Sequence, residues 1–181
     1  MAHSSAGAPP GAPISITGAS HGHGHVFTPL TPQQLDRATE DPDWAEEFLD
    51  AYYDHDGEDG IGPEAFDGYL DKAWAGIQFL LDAADATVEL DQGGYPIDDE
   101  GLNGWTVEDV RRTAGKLREL PWERLAEHYD PVRMTAREVY PDVWQFDPEG
   151  ELEYLRVHYA VLVAFFDGAA RAGSAAILQF G

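Results

Sequence analysis

The segment from Asp147 to Phe180 constrains this chain more than any other. Asp147 carries a side chain that caps helices, Pro148 suits a first turn, and Glu149 and Glu151 complement the positive end of a helix dipole. Gly173 stands where a left-handed stop belongs. Between these marks Leu152, Leu155, Tyr159, Leu162 and Phe166 recur at helical spacing, and Tyr154, Val157, Val161 and Phe165 make the flank apolar too. Few faces are left for water, so this is read as the central core helix. After Gly173 the pattern becomes Ala175-Ala176-Ile177-Leu178-Gln179-Phe180, a short apolar run of the kind a buried strand shows. A chain built this way ends inside a sheet.

The rest of the chain supplies enough apolar material for one core. It has 181 residues, 43% of them hydrophobic, a length and content that favour a single domain. The formal net charge of -23 sets the choice of partners. With a Debye length of about 8 Å in physiological salt, such a surface repels phosphate backbones and anionic lipid. Nucleic acid and membrane are therefore disfavoured, and a basic protein partner or a cation is favoured. No cysteine is present, which removes disulfides and thiol chemistry and fits a cytoplasmic location. The opening Met1 to Pro13 lacks the basic start and apolar run of a signal peptide, so residues 1–20 are expected to form a flexible leader before a domain over 21–181. The apolar run Tyr159 to Phe166 is far shorter than the roughly 20 residues that span a bilayer.

Along the chain, Ile14 to Thr17 and His25 to Phe27 have strand character. Thr31-Pro32-Gln33-Gln34 is a capping box with proline at the first helical position. Asp41-Pro42 restarts the helix, with Trp44, Phe48 and Tyr52 on one edge and Glu46, Glu47 and Asp50 outward. Asp54 to Gly62 reads as an acidic, glycine-rich loop. From Pro63 the spacing of Phe66, Leu70, Ala73, Trp74, Ile77, Leu80 and Leu81 predicts a second amphipathic helix. Thr87 to Trp105 is expected to be loop with small β pieces, Gly93-Gly94 being a turn and Tyr95-Pro96-Ile97 an edge strand at most. Thr106 caps a helix carried by Val107, Val110, Ala114 and Leu117. Shorter helices follow at Trp122 to Tyr129 and at Pro131 to Val139, ended by Tyr140-Pro141. The expected fold is α+β: one mostly helical domain with a small sheet that includes the C-terminal strand.

Charge is distributed unevenly. Fourteen carboxylates and only Arg37 fall between Asp36 and Asp71, whereas seven of the eleven basic side chains lie between Arg111 and Arg137. The two stretches could face each other within the chain, the acidic one could simply be a solvated face, or it could be a docking surface for a basic partner.

Few groups arrange themselves for chemistry. His21, His23 and His25 alternate with glycines, so an extended backbone sends all three imidazoles to one side at steps of about 7 Å. That is too wide for one ion unless the strand curls, which leaves weak capacity for a divalent metal such as Zn²⁺, Ni²⁺ or Cu²⁺. Asp54 to Ile61 invites a calcium-loop reading. Setting Gly60 at the sixth position, however, puts Phe66 where a bidentate Glu is needed, and setting Gly57 there puts Pro63 at that place. No serine sits in a G-x-S-x-G elbow, and neither G-x-G-x-x-G nor G-x-x-x-x-G-K-[ST] occurs. No organic cofactor is expected. His128 and His158 lie beside tyrosines in amphipathic stretches, where packing is their commoner role.

Several phrases together carry a resemblance. Leu30 to Leu35 forms the opening; Leu70-Asp71-Lys72-Ala73-Trp74-Ala75-Gly76-Ile77-Gln78-Phe79-Leu80-Leu81 follows, then Gly94-Tyr95-Pro96-Ile97, Tyr129-Asp130-Pro131 and Glu138-Val139-Tyr140-Pro141. In this order they resemble the YfbM-like bacterial family, a domain of unknown function, from about Val26 to the terminal strand. The resemblance implies an α+β domain and no established activity. Family members often carry histidines where this sequence has Ala75 and Gln78, so histidine chemistry on that helix is not carried over. Asp71, Lys72, Trp74, Glu138 and Tyr140 remain as a shared polar and aromatic patch, or as an ion pair with core aromatics that fix two helices.

The sequence therefore leads to a non-enzymatic, acidic, cytoplasmic interaction module. It would dock a basic protein through Glu46, Glu47, Asp50 and Asp54, an immunity-type role against a basic toxin being one concrete form. The alternative is a small-molecule or metal-dependent enzyme with a pocket near Lys72, Trp74, Glu138 and Tyr140.

Overall fold

The apolar terminal strand is buried on both sides, because it is the middle of a sheet. The computed structural model describes residues 24–54, 68–99 and 101–180. Within them five strands, β1 (His25–Leu30), β2 (Gly68–Asp71), β3 (Tyr95–Pro96), β4 (Leu102–Trp105) and β5 (Ala175–Phe180), form one antiparallel sheet in the order β2-β1-β5-β4-β3. Seven helices accompany them: α1 (Pro32–Glu40), α2 (Pro42–Asp54), α3 (Trp74–Ala83), α4 (Val107–Arg118), α5 (Trp122–Ala126), α6 (Pro131–Ala136) and α7 (Pro148–Ala172). Ala176 and Leu178 of β5 enter one core with Phe27, Leu70 and Trp105. Ala175 and Ile177 enter another with Leu30 and Leu102. A strand covered on both faces has no position for a polar alternation, which is why β5 reads as a continuous apolar run.

The two cores belong to different helices. Ile77, Leu80 and Leu81 of α3, Val110, Ala114 and Leu117 of α4, Leu125 of α5, Met134 of α6 and the buried side of α7 close over the first. Leu35 and Ala38 of α1 with Ala45 and Leu49 of α2 close over the second. The chain is one α+β domain with helices on both faces of its sheet. In α7, Asp147 caps the first turn by accepting from Gly150 N at 3.2 Å, and Gly173 takes φ +67 at the end. Its Leu155, Leu162, Phe165 and Phe166 are 1% exposed or less, burial that contributes about 2 kcal/mol for each side chain. Thr31 with Gln34, and Thr106 with Asp109, complete capping boxes at α1 and α4.

The helix expected from Pro63 to Leu81 is not continuous. Gly68–Asp71 is strand β2, paired to β1, and the helix starts only at Trp74. Asp71 takes φ +46, which turns the chain from strand to helix. The expected strand at residues 14–17, His21, His23, the loop after Asp54, the side chain of Asp54 and the start at Pro63 lie outside what the structure describes. The turn falls at residues 90–92 and Gly93-Gly94 forms the bend after it, where the backbone lies against an indole and a Cβ on Gly94 would stand 2.6 Å from Trp105 Cδ1. Gln78 donates to Val88 O at 2.9 Å and accepts from Leu90 N at 2.8 Å. It fastens the segment after α3 to that helix.

Candidate functional site

His25 opens β1, and the sheet register shifts between it and Val26, placing it across from Asp71. Its ring is 5% exposed, stacks on Trp74 at 4.0 Å and 11°, and meets Phe180 edge-on at 4.3 Å. Nε2 lies 3.1 Å from Asp91 Oδ1. Sequence reasoning missed this partner, since nothing in the chain marks an aspartate so far away. Among the described residues no group of three or more His, Asp or Glu side chains converges to hold a metal ion.

Asp71 pairs with two tyrosines and not with its neighbour Lys72. Its carboxylate accepts from the Tyr154 hydroxyl at 2.8 Å and from the Tyr69 hydroxyl at 3.2 Å. Burial first, and then the Asp71 carboxylate, push the Tyr154 phenol above its usual range. Tyr69 is shifted in the same direction by the same two causes. Trp74 reaches Tyr140 at 6.4 Å and 28°. Lys72 and Glu138 are exposed and join no ion pair among the described residues. Glu138 and Asp142, on either side of Tyr140, both have left-handed backbones, φ +54 and +60. The structure thus brings Trp74 and Tyr140 together with His25 and leaves Lys72 and Glu138 at the rim.

On the other face of the sheet, Glu46, Glu47 and Asp50 project from α2 into solvent. Glu46 and Asp50 line a cleft of about 240 Å³ with Asp98, Leu102, Gln179 and Phe180. Asp98 Oδ1 accepts from Gly101 N at 2.9 Å and Leu102 N at 2.8 Å, fixing that carboxylate at the cleft. Phe180 belongs both to this cleft and to the edge of His25, so the acidic face and the aromatic patch meet there.

Four arginines are paired away from the α1–α2 face. Arg112 pairs with Asp109, Arg118 and Arg171 with Asp167, and Arg156 with Glu153. Arg37 lies 4.3 Å over the Trp44 ring. Among the described residues no ion pair links α1 or α2 to the basic helices, because the sheet stands between them. A second concavity, a groove of about 450 Å³, runs between Leu117, Leu120 and Trp122 on one side and Tyr159, Ala160, Val163 and Ala164 of α7 on the other. Its lining is mostly apolar, with Arg118, Glu123, Arg156 and Asp167 around it. Neither concavity is lined by His25, Lys72, Trp74, Glu138 or Tyr140.

No helix among the described residues is long and apolar enough to cross a membrane. No curated protein matches the chain. Among solved structures it is similar to the crystal structure of YfbM from Escherichia coli, a protein of unknown function. The TM-score is 0.64 at 16% identity, over 87% of this chain and 99% of that one. At that identity the likeness is one of fold. The model of a domain of unknown function, DUF1877, matches residues 22–179, and the chain belongs to that family.

Proposed function

We propose that this protein is a non-enzymatic interaction module that binds a basic protein segment on the α1–α2 face. The observation that carries this is the uncompensated acidity of that face: Glu46, Glu47 and Asp50 are exposed and have no ion-pair partner among the described residues. The cleft beside them combines two of these carboxylates and Asp98 with Leu102 and Phe180. A lysine or arginine side chain suits it, its charge meeting carboxylates and its stem or guanidinium meeting the phenyl ring. Long-range attraction from so acidic a surface speeds encounter with a basic partner and depends strongly on salt. An immunity-type role, occupying a basic toxin, is one form of this function in the cytoplasm.

Capture from native cells with the intact protein, beside a Glu46→Lys, Glu47→Lys, Asp50→Lys variant, tests it. A basic partner is expected to be retained by the wild type, lost by the variant and released by salt. An empty capture, or a partner indifferent to salt and to the reversals, overturns it.

The second reading is a small-molecule enzyme at the Trp74–Tyr140 patch. What favours it is the left-handed backbone at Asp71 and Glu138, since strain of this kind gathers at functional sites. A ligand there would alter Trp74 fluorescence in the wild type and not in Trp74→Phe. Metabolite screens with no such response count against it.

A further inference from the structure

The outward side of α7 carries its charges in an order that is self-complementary when reversed. Glu153, Arg156, Ala160, Ala164, Asp167 and Arg171 follow one another by three or four residues, so they share a stripe about 100° wide. The stripe lies opposite the side that buries Leu155, Leu162 and Phe166. All six are exposed except Asp167, which is half-buried. Laid antiparallel on a second copy, with the two-fold axis passing midway between Ala160 and Ala164, Glu153 falls opposite Arg171. Arg156 falls within one residue of Asp167, and Ala160 opposite Ala164. A parallel pair would instead set each charge against its own like.

The surroundings fit the same occupant. Small residues at the centre let two helices approach to about 8 Å. A two-fold axis perpendicular to the helices puts both grooves on one side of the seam, so that the apolar linings at Leu117, Leu120, Trp122 and Val163 meet. Two copies of so acidic a chain repel each other over most of their surface. Here Arg118, Arg156 and Arg171 balance Glu123, Glu153 and Asp167, and the acidic α1–α2 face is on the far side of the sheet. With a Debye length of about 8 Å, that distant charge is screened at the seam. The pairs within the helix, Glu153 with Arg156 and Asp167 with Arg171, hold these side chains ready to join four-charge clusters across it. We propose that α7 forms an antiparallel two-fold interface with a second copy of this chain.

Sedimentation of the full chain, measured up to the hundred-micromolar range, tests this with charge reversals. The wild type is expected to dimerise. Glu153→Arg sets the introduced guanidinium against Arg171 at both ends of the seam, and Arg171→Glu sets the introduced carboxylate against Glu153. Each variant is therefore expected to weaken the dimer about tenfold or more. Mixing the two variants restores an oppositely charged pair at one end of each heterodimer and leaves the other end as two exchanged, again opposite, charges, so dimerisation is expected to return to the wild-type level. Arg156→Glu mixed with Asp167→Arg gives an independent second test, and circular dichroism of each variant alone checks folding. A monomeric wild type overturns the proposal. So do single variants that dimerise unchanged, or a mixture no stronger than its components.

Discussion

Replacing Gly76 by alanine removes backbone freedom from the first turn of α3, a change that ordinarily stabilises a helix by up to about 1 kcal/mol. In this structure the new methyl would stand 2.5 Å from Trp144 Cη2 and 2.7 Å from Leu155 Cδ2. Both side chains are 0% exposed, and the indole is held by its Nε1 donating to Val139 O at 2.7 Å. Neither can swing into solvent. Overpacking of this kind costs about 1–3 kcal/mol, and the fixed indole places it towards the upper end. The net expectation is a loss of about 1–2 kcal/mol once the helix gain is subtracted. Gly115 in α4 is the control, since a Cβ there meets nothing within 4 Å. Gly115→Ala is expected to stabilise by about 0.5–1 kcal/mol. Urea unfolding followed by far-UV circular dichroism resolves the two, with midpoints moving in opposite directions and slopes unchanged. A Gly76→Ala midpoint at or above wild type would refute the close packing of α3 between Trp144 and α7.

Three further outcomes are expected. Burial pushes the Tyr159 phenol up to about 12 from its ordinary value of 10.0, so the folded protein keeps a proton that the unfolded chain has already lost. The stability from this group is whole below pH 10 and disappears as pH rises towards 12; Tyr159→Phe should flatten that part of an alkaline stability profile. It should also cost about 1 kcal/mol at neutral pH for the bond to Leu120 O. Thr106→Ala removes the cap of α4 and should lower stability by about 1 kcal/mol in the same urea assay; no change would mean that the cap contributes nothing. Asp71→Asn keeps a residue that tolerates the left-handed backbone and an acceptor for Tyr154, whereas Asp71→Ala loses both. Thermal unfolding should show the alanine variant clearly less stable than the asparagine one, and equal losses would exclude a role for either feature.

Much of the fold was legible because helix ends are written locally. Asp147, Pro148 and Gly173 bound α7 in the sequence as they do in the structure, and the Thr31 and Thr106 caps did the same for α1 and α4. The strand β2 was not, for a physical reason: four residues give too few turns of either period, and Leu70, Ala73 and Trp74 continue a helical spacing across the Asp71 turn. The β4 strand was hidden by Asn103 and Gly104, poor strand formers held in place by β5 and β3 on either side. At the candidate site, the neighbours within a motif were visible but the long-range partners were not. Asp91 reaches His25 and Tyr154 reaches Asp71 only through the fold, while Lys72, adjacent to Asp71 in the chain, is exposed and joins no ion pair among the described residues.

The central position of β5 has a kinetic consequence. It is the strand that joins the β2–β1 half of the sheet to the β4–β3 half, and its ladder with β1 runs from His25 opposite Phe180 to Leu30 opposite Ala175. That contact closes a loop of nearly the whole described chain before either half gains its neighbour. Two-stranded pieces are marginal by themselves, and contacts so distant along the chain form late. Refolding should therefore show early helix signal and a slow final step in which both open ribbon edges are quenched at once. Until that step the waiting edges are where self-association during refolding would begin.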